Sequence, residues 1–308
     1  MTACSAPSGK QFELNLGSQR VVVAEVGAGL RRYVVGGIDL LDGYRRADRC
    51  TGARGQSFIP WPNRIADGRY TFGGEEHQLP LTEPAAGNAI HGLTRWMPWH
   101  LLNDNHVSLR FGLWLPPQPG YPFALRCEII YRLTGRGLEV ETIATNVGSE
   151  PCPYATGAHP YLQLGAEHVD DLQVRLPAAT WYPTDDRGIP IERRSVVDTD
   201  RDLRELTPVG DLVLDTSFTD LDRAADGTST VLVSRPDGAR AELWMDEHYR
   251  YVELFTGDSL PEKSRRRRSL AVEPMTAAPN AFRTGDGLLT LDPGSSHHAT
   301  WGLRVELS

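Results

Sequence analysis

The chain has 308 residues, of which 40% are hydrophobic and 23% charged, with a formal net charge of −8 at neutral pH. That length can bury a sizeable core in one large domain or two small ones, and the acidic balance argues against a general binder of nucleic acid or anionic membrane, which needs clustered positive field. Pro, Gly or Arg interrupts every apolar run well short of the roughly 20 residues that cross a bilayer, so no membrane span is expected.

From the beginning, Met1 to Lys10 lacks the basic segment and apolar stretch of a secretory signal, and a cytoplasmic protein is expected. Residues 1–19 read as a leading extension or a first edge strand. Strand character then recurs in Arg20–Val26, Val107–Leu115, Cys127–Leu133, Leu138–Thr145, Thr230–Ser234, Arg240–Met245, Tyr251–Thr256, Leu270–Glu273 and Thr300–Val305. The clearest period-two stretch, Leu138 to Ile143, sets Glu139 and Glu141 on the face opposite Leu138 and Val140. Helical spacing is scarce; Asp202–Leu206 is the best candidate and would make barely two turns. Pro236-Asp237-Gly238, Asp67-Gly68, Ala225-Asp226-Gly227 and Thr284-Gly285-Asp286-Gly287 are turn signals. With 30 glycines, these features point to an all-β chain, a large antiparallel sandwich or barrel. Without a linker-like shift in composition or an internal repeat, residues 1–308 read as one domain. Gln56 to Trp99 reads as long loops over one sheet, where function concentrates. Cys4, Cys50, Cys127 and Cys152 are scattered and read as reduced, structural thiols.

Five clusters carry possible chemistry. In Pro60-Trp61-Pro62-Asn63-Arg64, two prolines fix the backbone and set an amide beside a guanidinium, a pair suited to vicinal hydroxyls; a structural loop with Arg64 on a carboxylate is the alternative. Asn88-Ala89-Ile90-His91-Gly92 puts glycine beside a histidine so that another group can approach, though a hydrogen-bonded core histidine would look the same. Gly157-Ala158-His159-Pro160-Tyr161 repeats the idea with His159 held extended by proline. Asp215 in Leu214-Asp215-Thr216-Ser217-Phe218 either accepts sugar hydroxyls or caps a turn. Glu273 ends an apolar run that Pro274 stops, and is either a base or the partner of an arginine.

Other patterns fail. Gly27-Ala28-Gly29 opens like a dinucleotide fingerprint but lacks the third glycine and a following helix. His297 and His298 point to opposite faces of a strand, cannot easily chelate one metal, and are expected to be solvent-exposed. Arg265 to Arg268 could hold phosphate but reads first as a solvated loop.

Taken in order, Pro62-Asn63-Arg64-Ile65, Ile90-His91-Gly92, His159-Pro160-Tyr161, Asp215, and Val272-Glu273-Pro274-Met275-Thr276 followed by Pro279-Asn280-Ala281-Phe282 resemble the aldose 1-epimerase (galactose mutarotase) family. The match runs from about Gly27 to Leu291-Asp292-Pro293-Gly294 and Thr300-Trp301. The resemblance implies an antiparallel β-supersandwich, no metal and no cofactor, and a cleft for a free monosaccharide such as galactose or glucose. It also implies Glu273 as catalytic base, His159 as catalytic acid, and Asn63, Arg64, His91 and Asp215 as sugar contacts. Glu253, in Val252-Glu253-Leu254-Phe255, is read as a further substrate-binding residue and stands where many members carry glutamine, which puts sugar preference in question.

The chemistry follows from the substrate. An aldohexose changes anomer by opening to the aldehyde, turning about C1–C2 and closing on the other face. Opening takes a proton from the C1 hydroxyl and delivers one to the ring oxygen; a carboxylate and an imidazolium on opposite sides of the ring can do both. Ordinary pKa values of about 4.3 and 6.5 favour that charge state in mild acid, and a nearby carboxylate would raise the histidine further. The rivals are a mutarotase for a hexose 6-phosphate held by Arg64 or the arginine run, a sugar-binding protein without activity, a metal site of His91, His159 and Glu273, and a glycosidase using Asp215 with Glu273.

Overall fold

The computed structural model describes residues 6–307, so Cys4 lies outside the described residues. Every stretch read as a strand forms one, and all the sheets are antiparallel. A nine-stranded sheet contains Ser108–Leu115, Leu125–Thr134, Gly137–Asn146, Ser296–Glu306, Arg240–Met245 and Ser229–Ser234 as consecutive neighbours. Alternation explains it: in Gly137–Asn146, Leu138, Val140 and Thr142 are buried while Glu139 and Glu141 are half-buried on the other face.

An eight-stranded sheet runs through Arg194–Ser195, Ala178–Tyr182, Asp215–Leu221, Tyr251–Phe255, Leu270–Met275, Gly157–Ala158 and Ser57–Phe58, with Tyr161–Leu162 also on Leu270–Met275. Its strands Tyr251–Phe255 and Leu270–Met275 are buried along most or all of their length, as expected where both faces are covered. A four-stranded sheet of Gln11–Leu16, Gln19–Ala24, Leu30–Val35 and Ile38–Asp39 has Gln11–Leu16 at its edge, the edge-strand alternative for residues 1–19. One contiguous apolar core runs from Leu14 to Leu303.

The structure departs from the sequence expectations in several places. Asp202–Leu206 is not helical, because Asp202 turns back on Arg204, accepting from its Nε at 2.8 Å and its backbone N–H at 3.3 Å. The one α-helix among the described residues is Ala281–Thr284, between Asn280 and Gly285, both with left-handed backbone. Gln56–Trp99 contains paired short strands, Arg64–Ala66 with Asn88–Ile90 and Arg69–Phe72 with Glu75–Gln78. The strand ending in Glu273 continues through Pro274 to Met275.

Three arginines of the run are tied to the fold, although Arg266 stays exposed. Arg265 bonds Asp42 at 2.6 Å, Arg266 donates to the Leu260 carbonyl, and Arg267 bridges Asp170 and Asp258 at 2.8 Å each. Of the two adjacent histidines, His298 is exposed and lies 3.0 Å from Glu141, but His297 packs against Tyr154 and His248, and burial lowers its pKa to about 4. Cys50, Cys127 and Cys152 are free and buried; burial pushes Cys152 up to about 11 and Cys50 up to about 12, leaving neither a thiolate at neutral pH. Among the described residues no helix is long and apolar enough to cross a membrane.

Candidate active site

Strand register brings the acidic groups together. Ser217 lies opposite Glu253, and Glu253 lies opposite Glu273, on three neighbouring strands of the eight-stranded sheet. Gly157–Ala158 and Tyr161–Leu162 both pair with the Glu273 strand, so the His159-Pro160 step between them is carried over its surface. Backbone bonds pin that step: His159 donates to the Gln56 carbonyl at 3.0 Å, Gly55 donates to the His159 carbonyl at 2.9 Å, and Val272 to the Pro160 carbonyl at 3.1 Å. As a result His159 Nε2 sits 3.1 Å from Glu273 Oε1, both side chains nearly fully buried.

A second wall comes from the Asn63 and His91 segments. Pairing of Arg64 with Ile90 sets them side by side, and His91 N–H donates to the Asn63 carbonyl at 2.9 Å. Asn63 and His91 both adopt positive φ, 51° and 61°, conformations held by that pairing and by Asn63 Oδ1 accepting from Arg64 N–H at 2.8 Å. Gly92 has φ of +68°, and a Cβ there would lie 2.2 Å from the Ile59 carbonyl oxygen; the glycine beside His91 therefore admits the chain's own backbone. The His91 ring stacks on Phe58 with centroids 3.8 Å apart. Asn280 ties the Arg64–Ala66 strand in place, donating to the Arg64 carbonyl at 2.7 Å and accepting from Ala66 N–H at 3.1 Å.

These walls enclose a cavity of about 300 Å³, lined among others by Asn63, Arg64, His91, His159, Asp215 and Glu273. Six of the seven residues singled out from the sequence thus face one space, of a size that suits a single small ligand. Glu253 does not line it. It lies beneath, its Oε2 accepting from Ser217 Oγ and, at 3.4 Å, from Asn63 Nδ2. Arg64 is engaged by Glu83 at 3.0 and 3.2 Å and stands 3.8 Å from Asp215, which realises the structural alternative for that residue while leaving its edge on the cavity.

Arg95, Trp96, Tyr161 and Phe255 line the cavity as well and were not singled out. Trp96 is 48% exposed whereas Trp61 and Trp99 are core residues; nothing in the sequence separates the three. Arg95 has no carboxylate partner among the described residues.

Electrostatics differ from the simple expectation of a carboxylate and an imidazolium across a gap. Burial, then Glu253 and Asp215, push Glu273 well above the usual carboxylate range against the opposing pull of Arg64. Burial, then the Arg54 and Arg95 cations, hold His159 well below its usual 6.5. The nearby carboxylate does not raise the histidine, because removing both groups from water costs more than their attraction returns. His159 and Glu273 are in direct contact, and burial disfavours the charged form of each. Glu273 Oε2 and His159 Nδ1 are buried without a hydrogen-bond partner in the chain.

Burial, then Asp215, likewise raises Glu253, with Ser217 and Arg64 opposing. A carboxyl raised on folding stabilises while protonated, and that stability is lost as pH climbs through its folded pKa. Glu253→Gln keeps an oxygen for Ser217 and Asn63 and removes the titration. It should match the parent's melting temperature near about pH 5 and exceed it near about pH 9, with activity retained; thermal scans at both values check this. A variant melting below the parent at the higher pH would mean that Glu253 is ionised and needed as an anion.

The ligand atoms of His91, His159 and Glu273 lie within 4.8 Å of one another. Two of them, His159 Nε2 and Glu273 Oε1, are in direct contact at 3.1 Å.

A model of the aldose 1-epimerase family matches residues 10–304. The chain belongs to the aldose 1-epimerase family. An uncharacterized Escherichia coli K12 protein, YihR, is 32% identical over 291 residues, 94% of this chain and 91% of that one. The E. coli K12 aldose 1-epimerase is 32% identical over 158 residues, 49% of this chain and 44% of that enzyme. Among solved structures, the aldose epimerase homologue of Caenorhabditis elegans superposes with a TM-score of 0.87 at 19% identity, covering 96% of this chain and 98% of its own. The expected all-β, galactose mutarotase-like fold is thereby found.

Proposed function

We propose that this aldose 1-epimerase family member interconverts the α and β anomers of a free aldohexose such as galactose or glucose. Glu273 is the base at the C1 hydroxyl and His159 the acid at the ring oxygen. Asn63, Arg64, His91 and Asp215 hold the hydroxyls, with Glu253 supporting Asn63 from below. The observation that carries the reading is the buried Glu273–His159 contact of 3.1 Å on the wall of a hexose-sized cavity.

The two groups need not flank the ring. The anomeric oxygen and the ring oxygen are both bonded to C1, so an acid and a base side by side reach them from one direction. Glu273 takes the hydroxyl proton as the C1–ring oxygen bond breaks, the bonding pair leaves on the ring oxygen, and His159 supplies its proton. The aldehyde turns about C1–C2 and closes by the reverse transfers, so no net proton is gained or lost. Sugar hydroxyls donating to Glu273 Oε2 favour the ionised carboxylate that starts the cycle, because hydrogen bonds to the charged form lower its pKa.

The test is polarimetry of freshly dissolved α-galactose and α-glucose with a metal chelator present throughout. Acceleration above the spontaneous rate is expected. Sugar binding without acceleration would instead make the chain a sugar-binding protein. A second reading, a hexose 6-phosphate as substrate, is supported by Arg95, whose cation lines the cavity without a carboxylate. Arg64, Arg265 and Arg267, first suggested for that phosphate, are paired with carboxylates. Stronger competition by the phosphorylated hexose than by the free one would favour it. We further propose a cytoplasmic protein whose partner is a monosaccharide, not nucleic acid or membrane.

A further inference from the structure

Against His159 stands a column of stacked groups. The His159 and Tyr161 rings are stacked, with centroids 4.6 Å apart and an interplanar angle of 9°. The Arg54 guanidinium covers Tyr161 at 4.7 Å from its centroid. Arg54 is 2% exposed, donates from Nη1 to the Thr51 carbonyl at 2.9 Å, and lies 3.2 Å from Asp42 through Nε; its Nη2 is buried without a partner. Asp42 also accepts from Arg265 at 2.6 Å and from Ser269 at 3.3 Å, so its single charge is divided between two guanidiniums. Tyr161 O–H is committed to the Gly52 carbonyl at 2.9 Å, which fixes the ring between cation and imidazole. The two ends of the column come from the Gly52–Gly55 turn and the His159–Tyr161 step, which Gly55 N–H and the His159 carbonyl tie together at 2.9 Å.

A burial-desolvated guanidinium that shares its counter-ion leaves net positive field inside the fold, where low dielectric extends its reach. We propose that Arg54 is a positioning residue that acts through the face of Tyr161 to set how readily His159 releases its proton, with Asp42 as the counterweight. The inference rests on the epimerase reading above. The other charged or titratable groups facing His159 are Glu273 from the neighbouring strand, with Glu253 and Asp215 behind it, and Arg95, His91 and Arg64 from the loops over the cavity. Arg54 is outside the cavity lining, with Tyr161 between it and the imidazole.

The test is the pH profile of kcat/KM by polarimetry for the parent, Arg54→Met, Arg54→Lys and Asp42→Asn. Both limbs belong to the Glu273–His159 pair jointly. A positive charge disfavours the imidazolium and favours the carboxylate, so its removal in Arg54→Met should move both limbs up by about one pH unit. Removing the counterweight in Asp42→Asn should move both limbs down, and Arg54→Lys should restore the parental position. A purely structural Arg54 would lower kcat/KM with the limbs unmoved, which would overturn the proposal. Should Arg54→Met not fold, Asp42→Asn still decides: an unmoved or upward limb refutes it. If the parent itself gives no acceleration, the epimerase reading fails first, and that result is separate from the position of the limbs.

Discussion

Glu273→Gln should fold and lose catalysis, with kcat falling by about 10² to 10⁴-fold toward the spontaneous rate, the usual worth of one positioned proton-transfer group. Glutamine has nearly the shape of glutamic acid, keeps an acceptor for His159, and fills the same buried space. It cannot accept the C1 hydroxyl proton. Stability should respond in a characteristic direction. Because burial and the neighbouring Glu253 raise the parent's carboxyl, ionising it as pH rises through its folded pKa costs stability that the variant does not lose. The variant should therefore equal the parent in acid and surpass it in alkali, by thermal melting, while polarimetry reports the kinetic loss. A variant with parental kcat would remove Glu273 from its role as base.

His159→Gln should be similarly inactive, and the double variant with Glu273→Gln should be no slower than either single one. The reason is that ring opening needs both transfers at once: Glu273 must take the hydroxyl proton as His159 gives one to the ring oxygen, and residues that act as a unit are grossly non-additive. Independent roles would multiply the two losses. Initial polarimetric rates for the parent, both singles and the double complete the cycle. The imidazole also stacks on Tyr161 and meets the edge of Phe58 at 5.7 Å, so the single variant should cost about 1 to 3 kcal/mol of stability from lost packing. Multiplicative losses in the double variant would separate the two residues chemically.

Much of the candidate site was legible because its residues sit in short motifs with distinctive local chemistry. Proline after His159 and after Glu273, glycine after His91 and the amide–guanidinium pair at Asn63-Arg64 are visible without a fold, and their order along the chain is what resembles the family. Arg95 and Trp96 were not legible, since an arginine beside a tryptophan looks the same whether it lines a cavity or a surface. Glu253 was singled out as a sugar contact, yet it lies under Asn63 on Ser217. Its position in the strand was apparent, but the face it occupies depends on register with two neighbours.

By itself the sequence determined many of the longer strands, since period-two alternation and turn residues act within a few positions of one another, and it determined which side chains could carry the chemistry. Tertiary structure decided their charge and their grouping. Whether Glu273 is ionised depends on burial, then on Glu253 and Asp215 from the same sheet, and whether His159 holds a proton depends on burial, then on Arg54 beyond the Tyr161 ring. The run Arg265–Arg268 was settled in the same manner, by Asp42, Asp170 and Asp258. Desolvation and Coulomb forces sum over everything nearby in space, and antiparallel pairing brings together residues that the chain itself keeps far apart.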